Sequence, residues 1–555
     1  MIRKIGIIAS AMSCLTLGII SANGVSASAS TNHVLTEEGN VGVTFTDNFN
    51  PFNSNSLAGQ MSIKSLTYEP LFEFDFLKAN TSYPWLATSY KFAGGGRSLT
   101  FTLRNGVKWS DGQPFTAADV AYTFNLIGQN PSANYSGVPQ MTNAARVRGN
   151  TVTLSFAQPA YQSIIAIAGS TLIVPQHLWA KVMNPVKAMI TNPVGTGPYV
   201  LKHYSSQLVS FKVNPSYWGG TPAATQVNIP SYSSNAAATT ALANGQLDWA
   251  GNDIANIQSV FVSKNPKTNH YYFAGGNTVT LMFNTTYGAL SDPVVRAAIS
   301  AGINRADLGT KAESGYELPA TSSSGLILPN QSAFLAASAK GDLSPTSDPT
   351  KVASLLSGDG YAKNSSGMWA KNGQEITFNI EDPTAYSDYY AGAQLIANSL
   401  QAVGINATVD GVQASQWYSD LAAGTFQSAI HWGAGGANPF QQYQNWLDYK
   451  TFVAPNPTAA SGDFGRYQSA AAQAALTALE TTNPTNTKAV TSAVQALGNI
   501  LTTQVPVAPL LYGADWNVYS TAHFTGWVTA ANPYMDPSPS DPALPIILMH
   551  LKVAK

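Results

Sequence analysis

Arg104-Asn105-Gly106-Val107-Lys108-Trp109-Ser110-Asp111-Gly112-Gln113-Pro114-Phe115-Thr116-Ala117-Ala118-Asp119-Val120 is the stretch on which the fold turns. Just before it, Leu99-Thr100-Phe101-Thr102-Leu103 alternates apolar and polar residues with the period of a half-buried strand. Glycines then supply a turn. Thr116 stands as an N-cap with Asp119 at the third helical position, where Glu or Gln is usual, and Val120, Tyr122, Phe124 and Ile127 follow at helical spacing. The unit reads as strand, glycine turn and capped helix.

Outward from there the alternation of strand and helix continues. Thr151 to Phe156 predicts a second strand, and helical patterns recur at Val294 to Ile303, Lys351 to Leu356, Tyr389 to Val403, Ala470 to Leu479 and Lys488 to Leu501. This is the pattern of an α/β protein. The helices are rich in Ala and poor in charge pairs, so tertiary packing must hold them. Turn clusters at Gly94-Gly95-Gly96, Asn192-Pro193, Gly219-Gly220, Ser322 to Gly325, Asp359-Gly360 and Gly433 to Gly436 are all too short for flexible linkers. At 555 residues, two to four lobes joined by short crossing strands are expected.

Charge is scarce: 10% of residues are charged, against about 25% in an ordinary soluble domain. With 28 Lys and Arg against 29 Asp and Glu, and no basic block, a nucleic-acid partner is excluded. The first 29 residues read as an export leader: Arg3 and Lys4, an apolar run from Ile5 to Ile20, and small residues ending in Ala27-Ser28-Ala29. The single cysteine, Cys14, falls inside it, so the exported chain forms no disulfide. Lipidation at Cys14 is the competing reading, although Ala11-Met12-Ser13 does not fit the usual attachment sequence. No other stretch approaches a membrane span. So few titratable groups keep self-repulsion small in acid, which suits work outside the cell in acidic surroundings.

Catalytic chemistry finds little support. The seven histidines, His33, His177, His203, His270, His431, His523 and His550, show no metal-ligand spacing, and neither a P-loop nor a nucleophile elbow is present. No metal or organic cofactor is expected. Gly433-Ala434-Gly435-Gly436 lacks the spacing of a dinucleotide fingerprint and reads as a tight turn. What stands out is the aromatic inventory of 11 Trp, 25 Tyr and 22 Phe, with Trp417, Trp432, Trp446, Trp516 and Trp527 crowding the C-terminal third. Loop aromatics beside amides are how a binding cleft supplies apolar contact with a few polar anchors. Binding is therefore favoured over catalysis, with an exported hydrolase of oligomers as the alternative of another class.

The opening segment resembles a characteristic stretch of family 5 solute-binding proteins, the oligopeptide- and dipeptide-binding receptors of ABC importers. Further matches follow in order: Pro193 to Tyr199 resembles a G-T-G-P-Y turn, Asn214 to Gly220 an N-x-x-Y-W-G-G run, and Leu242 to Asp248 a helix end. Asp292-Pro293-Val294-Val295-Arg296 with Asn304-Arg305 resembles a D-P-x-V-R and D-R pair, Asn304 replacing Asp. The resemblance implies a type II periplasmic-binding-protein fold with two α/β lobes, a hinge and an extra domain inserted in lobe one. Carried onto this chain, lobe one is 30–74, 190–285 and 505–555, the inserted domain 75–189 and lobe two 286–504. The hinge is then expected near Leu281 to Asn284 and Val505 to Leu510. Permease subunits of an ABC importer are the implied partners, the location is the periplasm or the outer face of the cytoplasmic membrane or cell wall, and a monomer is expected.

Peptide receptors of this family pair a peptide's ammonium with an Asp in a W-x-x-D loop. In His431-Trp432-Gly433-Ala434-Gly435-Gly436-Ala437-Asn438-Pro439, Gly435 stands where that Asp belongs. A charge-poor cleft and a neutral ligand are the resulting expectation, unless Asp410, Asp420 or Asp448 supplies the charge. The tail from Trp516 to Tyr519, Phe524 to Thr529 and Asn532 to Tyr534 is similar to oligosaccharide-binding members. Oligopeptide and oligosaccharide both stay open. The ligand-binding residues expected are Phe52, Asn284, Trp432, Gly435, Asn438, Tyr443, Tyr512 and Trp516.

Overall fold

A computed structural model describes residues 33–39, 41–53, 56–57, 63–78, 81–436, 438–450, 462–540 and 544–555. The expected leader and Cys14 lie outside the described residues. The strand before the opening segment runs Ser98–Leu103 and the helix after it Ala117–Gln129. Thr116 Oγ1 accepts from Ala118 N at 3.3 Å, and Thr116 N donates to Asp119 Oδ2 at 2.8 Å, so the capping box forms with Asp in place of Glu. Ser98–Leu103 sits inside a four-stranded antiparallel sheet with Ala87–Ala93, Thr151–Ser155 and Arg146–Arg148. The helix closes over this sheet through Val120, Phe124 and Ile127, and the core between them takes in residues from Phe52 to Trp179.

A second body forms around the four-stranded sheet of Val34–Thr36, Gln226–Pro230, Leu208–Val213 and Tyr199–Ser205. Its core joins Leu35, Phe211 and Trp249 to Tyr519, Trp527 and the helix Leu544–His550. The Gly195-Thr196-Gly197 turn runs against the Ile63–Thr67 helix so closely that a Cβ on Gly195 would lie 1.8 Å from Thr67 O. The Asn214 to Gly220 run is likewise a latch. Tyr217 OH and Trp218 Nε1 donate to the buried Glu69 carboxyl at 2.9 and 3.0 Å, joined by Trp85 Nε1 at 2.7 Å. Burial outweighs these donors and lifts Glu69 to about 7.

The third body is built on a six-stranded sheet in the order Leu318–Pro319, Val507–Asp515, Ala274–Phe283, Ser428–Trp432, Thr377–Pro383, Asn406–Val412. Helices expected from periodicity occur at Pro293–Gly302, Pro349–Gly358, Ser387–Ala402, Ala470–Thr481 and Thr487–Gln504. Arg296 and Arg305 are buried and hold backbone rather than acids. Arg296 donates to Leu290 O, Gln504 O and Val505 O, and Arg305 to Pro509 O and Ser300 O. The two arginines of the family-like motif thus anchor the entry of the Val507–Asp515 strand.

The crossing between bodies lies earlier on one strand and later on the other than 281–284 and 505–510. Leu281 to Phe283 pair with Ser428 to Ile430 deep in the six-stranded sheet, so they belong with the third body. Ala274 pairs with Asp515, and just beyond, Tyr272 N donates to Asn517 O at 2.9 Å and Tyr271 pairs with Val518 in a separate three-stranded sheet. The two segments pass from sheet to sheet side by side at 272–274 and 515–517.

Candidate functional site

Where the second and third bodies face each other lies a cavity of about 510 Å³. That volume is within the range of sites that enclose a small ligand. One wall carries Glu38, Gly39 and Val41 after the first strand, Asn235 at the start of the Asn235–Ala243 helix, and Gly251, Asn252 and Asp253 after Trp249–Ala250. The other carries Tyr386, Asp388 and Tyr389 around the start of the Ser387–Ala402 helix, Tyr418, and Trp432 to Gly435 leaving the Ser428–Trp432 strand. The crossing strands close the base with Gly276, Asn277, Ala514, Asp515 and Trp516. Asn235 ties the walls, its Nδ2 donating to Asp388 Oδ1 at 3.2 Å and its backbone N to Ala385 O at 3.4 Å.

Of the residues expected from sequence, Trp432, Gly435 and Trp516 line this cavity. Trp432 stacks near Tyr389 with centroids 6.2 Å apart, and Trp516 meets Phe273 edge-on at 4.6 Å. The other five stand elsewhere. Phe52 is core, packed on Trp179 with centroids 5.0 Å apart. Asn284 is buried, donating to Gly424 O and Phe426 O. Tyr443 is buried and donates to Ser324 O at 2.9 Å, and Tyr512 OH contacts Thr321 Oγ1 at 3.0 Å. Asn438, near the end of the loop, donates instead to Gln162. In the tail, Trp527 and Tyr519 stack on each other inside the core of the second body, so Trp516 alone of that aromatic run reaches the cavity.

The expectation of a charge-poor cleft is overturned. Glu38, Asp253, Asp388, Asp515 and Asp536 all line it, with no Lys, Arg or His among the described residues of the lining. Asp410 and Asp420 face elsewhere, toward Asn379 and toward Gln416 and Thr425, and Asp448 is not part of the wall. Gly435 has a local reason to lack a side chain, because a Cβ there would lie 2.8 Å from Gly276 O. A Cβ on Gly276 in turn would meet Asp515 Cγ at 2.8 Å. Asp515, packed against Gly276, brings a carboxyl into the same cavity that Gly435 lines. Pairings across a sheet are invisible to a one-dimensional motif, and sequence reasoning missed Asp515 for that reason.

Burial dominates the titration of these acids. It raises Glu38 and Asp253 to about 8, Asp515 to about 7 and Asp388 to about 6, and Asp536 well above the carboxylate range. Like charges reinforce this at Asp253, through Asp388, and at Asp536, through Asp515. Asn252 Oδ1, Asp253 Oδ1, Asn277 Oδ1 and Asp536 Oδ1 are buried without a hydrogen-bond partner among the described residues. Polar atoms left so are costly unless a ligand or water meets them. No group of His, Cys, Asp and Glu among the described residues is arranged to hold a metal ion. The site offers aromatic faces, amides and acids, the equipment of recognition.

Residues 81–453 match the family described as bacterial extracellular solute-binding proteins, family 5 Middle. The nickel-binding periplasmic protein of Escherichia coli is 26% identical over 68% of this chain and 72% of its own length. Glutathione-binding protein GsiB of Salmonella typhimurium is 26% identical over 73% and 77%. Among solved structures, a mannohexaose-bound periplasmic oligopeptide-binding protein of an ABC transporter from Thermotoga maritima superimposes with a TM-score of 0.86 at 27% identity, over 94% of this chain and 99% of that one. The fold is the type II periplasmic-binding-protein fold. A matched segment of this extent, in a chain whose second and third bodies face a ligand-sized cavity, means that the chain belongs to family 5 of the bacterial extracellular solute-binding proteins, the solute receptors of ABC importers.

Proposed function

We propose that the receptor captures a neutral, hydroxyl-rich oligomer, an oligosaccharide, and presents it to its permease. The observation that carries this is the lining: five carboxyls, four amides and six aromatic rings, without a cationic side chain among the described residues. A peptide's C-terminal carboxylate would face acids there with no partner, at a cost typical of an unpaired buried charge. Sugars present apolar ring faces to Trp and Tyr and hydroxyls to acids and amides. The similarity to a mannohexaose-bound protein supports the same reading. An oligopeptide is the second reading, favoured by Asp515 beside Gly276 in the cavity lining, where an ammonium would find a carboxyl.

Thermal shift separates the two, since a ligand at about 100 times its Kd adds about 2.7 kcal/mol. Manno-, cello- or xylo-oligosaccharides are expected to raise the melt and di- to penta-peptides not to; the reverse result would transfer the assignment to peptides. We further infer a hinge at 272–274 and 515–517, which assigns 274–283 and 507–515 to lobe two and leaves the inserted domain near 75–189. Both walls come from one chain, so a monomer suffices. The protein works outside the cytoplasmic membrane, and no helix among the described residues is long and apolar enough to cross one.

A further inference from the structure

Asp253 and Asp388 approach the cavity from opposite walls and lie within electrostatic reach of each other. Asp253 belongs to the loop after Trp249–Ala250, whereas Asp388 sits in the first turn of the Ser387–Ala402 helix. Both are buried, yet Asp253 Oδ1 has no hydrogen-bond partner among the described residues. Behind them stand Glu313 and Glu317, flanking Tyr316, and Asp382 from the Thr377–Pro383 strand, with the phenols of Tyr386 and Tyr389 alongside. Every charged group acting on Glu313, Asp253 or Asp382 is another acid. Glu317 Oε1 accepts from Ala514 N at 2.7 Å, but Glu317 Oε2, Glu313 Oε2 and both Asp382 oxygens find no partner among the described residues.

Five carboxyls gathered without a cation cannot all be ionised inside a closed cleft. Opening separates the walls and returns water to them; closing drives the acids together. A carboxylate only accepts hydrogen bonds, whereas a carboxylic acid donates one and accepts another, the complement of a sugar hydroxyl. We propose that Asp253 and Asp388 form a proton-carrying clamp, gripping ligand hydroxyls from both lobes as neutral acids, so that capture takes up protons and is favoured in acid. The clamp rests on the oligosaccharide reading of the cavity. An ammonium ligand would require the opposite, ionised acids and an affinity that rises with pH.

Calorimetric titration with mannohexaose between pH 5 and pH 8, in buffers of different ionisation enthalpy, tests it. With Asp388 near 6 and Asp253 near 8, the wild-type Kd is expected to weaken by at least about tenfold across that range, with net proton uptake on binding. Asp388→Asn and the double variant Asp253→Asn/Asp388→Asn keep a donor and an acceptor without titrating, and their pH slopes are expected to flatten. A pH-independent wild-type Kd, zero proton uptake, or an undiminished slope in the variants would each overturn the clamp. Urea unfolding of the empty protein provides the ligand-free readout: between pH 5 and pH 8 the wild type is expected to lose more stability than the double variant. Equal losses would overturn the clamp whatever the ligand. Loss in the wild type alone, with no oligosaccharide bound and a peptide bound more tightly at high pH, would overturn the ligand reading, and the hydroxyl grip with it.

Discussion

Trp432 and Asp515 divide the recognition problem between them. Trp432 offers its ring to the cavity, backed by Tyr389, and under the oligosaccharide proposal a sugar face would stack on it. Trp432→Ala is expected to weaken mannohexaose binding by about thirtyfold, about 2 kcal/mol, measured by calorimetry; an unchanged Kd would take the ring out of the binding surface. Asp515→Asn separates the ligand classes. Because burial already holds Asp515 near 7, the amide should leave oligosaccharide affinity at pH 6 within about threefold, whereas an ammonium anchored there would lose about a hundredfold. Trp432 was legible in sequence, since the loop around it resembles a known binding loop. Asp515, Asp388 and Asp253 were not, because each reaches the cavity through a pairing or packing partner distant in the chain. Phe52, Tyr443 and Asn284 show the converse: an aromatic or amide beside turn residues can be spent on core packing or on backbone carbonyls.

The elements themselves were read more successfully than the site, because strand alternation and helix periodicity are local. The structure extends the predicted helix at Lys351 to Leu356 to Pro349–Gly358, with Asp348 capping it, and shifts that at Val294 to Ile303 by one residue. What local pattern did not reveal is which sheet a strand joins, as the pairing of Leu281 to Phe283 with Ser428 to Ile430 shows. The family-like motifs fall at these junctions and differ in how much they hold. Thr116→Ala removes a cap whose helix keeps its packing, and is expected to cost about 1 kcal/mol in urea unfolding. Gly195→Ala forces a Cβ to within 1.8 Å of the Thr67 carbonyl oxygen, backbone against backbone, and is expected to cost about 3–5 kcal/mol. If the two substitutions cost the same, the close approach at Gly195 is not what the turn provides.

At the scale of the molecule, scarcity of charge and burial of charge have to be weighed together. Only 29 of 555 residues are acidic, but many of them are buried: Glu38, Glu69, Asp253, Glu317 and Asp515 are lifted to between about 7 and about 8, and Asp388 to about 6. In the unfolded chain the same groups titrate near 4. The folded state thus binds more protons than the unfolded one between about pH 4 and pH 8, and stability must fall as pH rises through that window. Most proteins carry acids whose pKa is depressed by cations and lose stability in the opposite direction. Here the buried Arg296 and Arg305 are spent on carbonyls, so they do not reverse the sign. The melting temperature of the ligand-free protein is expected to be higher at pH 5 than at pH 8 by at least about 5 °C, since each kcal/mol moves the melt of a large domain by about 2–4 °C. Scanning calorimetry at the two values decides it, and a higher melt at pH 8 would mean that the buried acids ionise with little penalty. A stability maximum on the acid side would arise from where the few acids sit and not from how few there are.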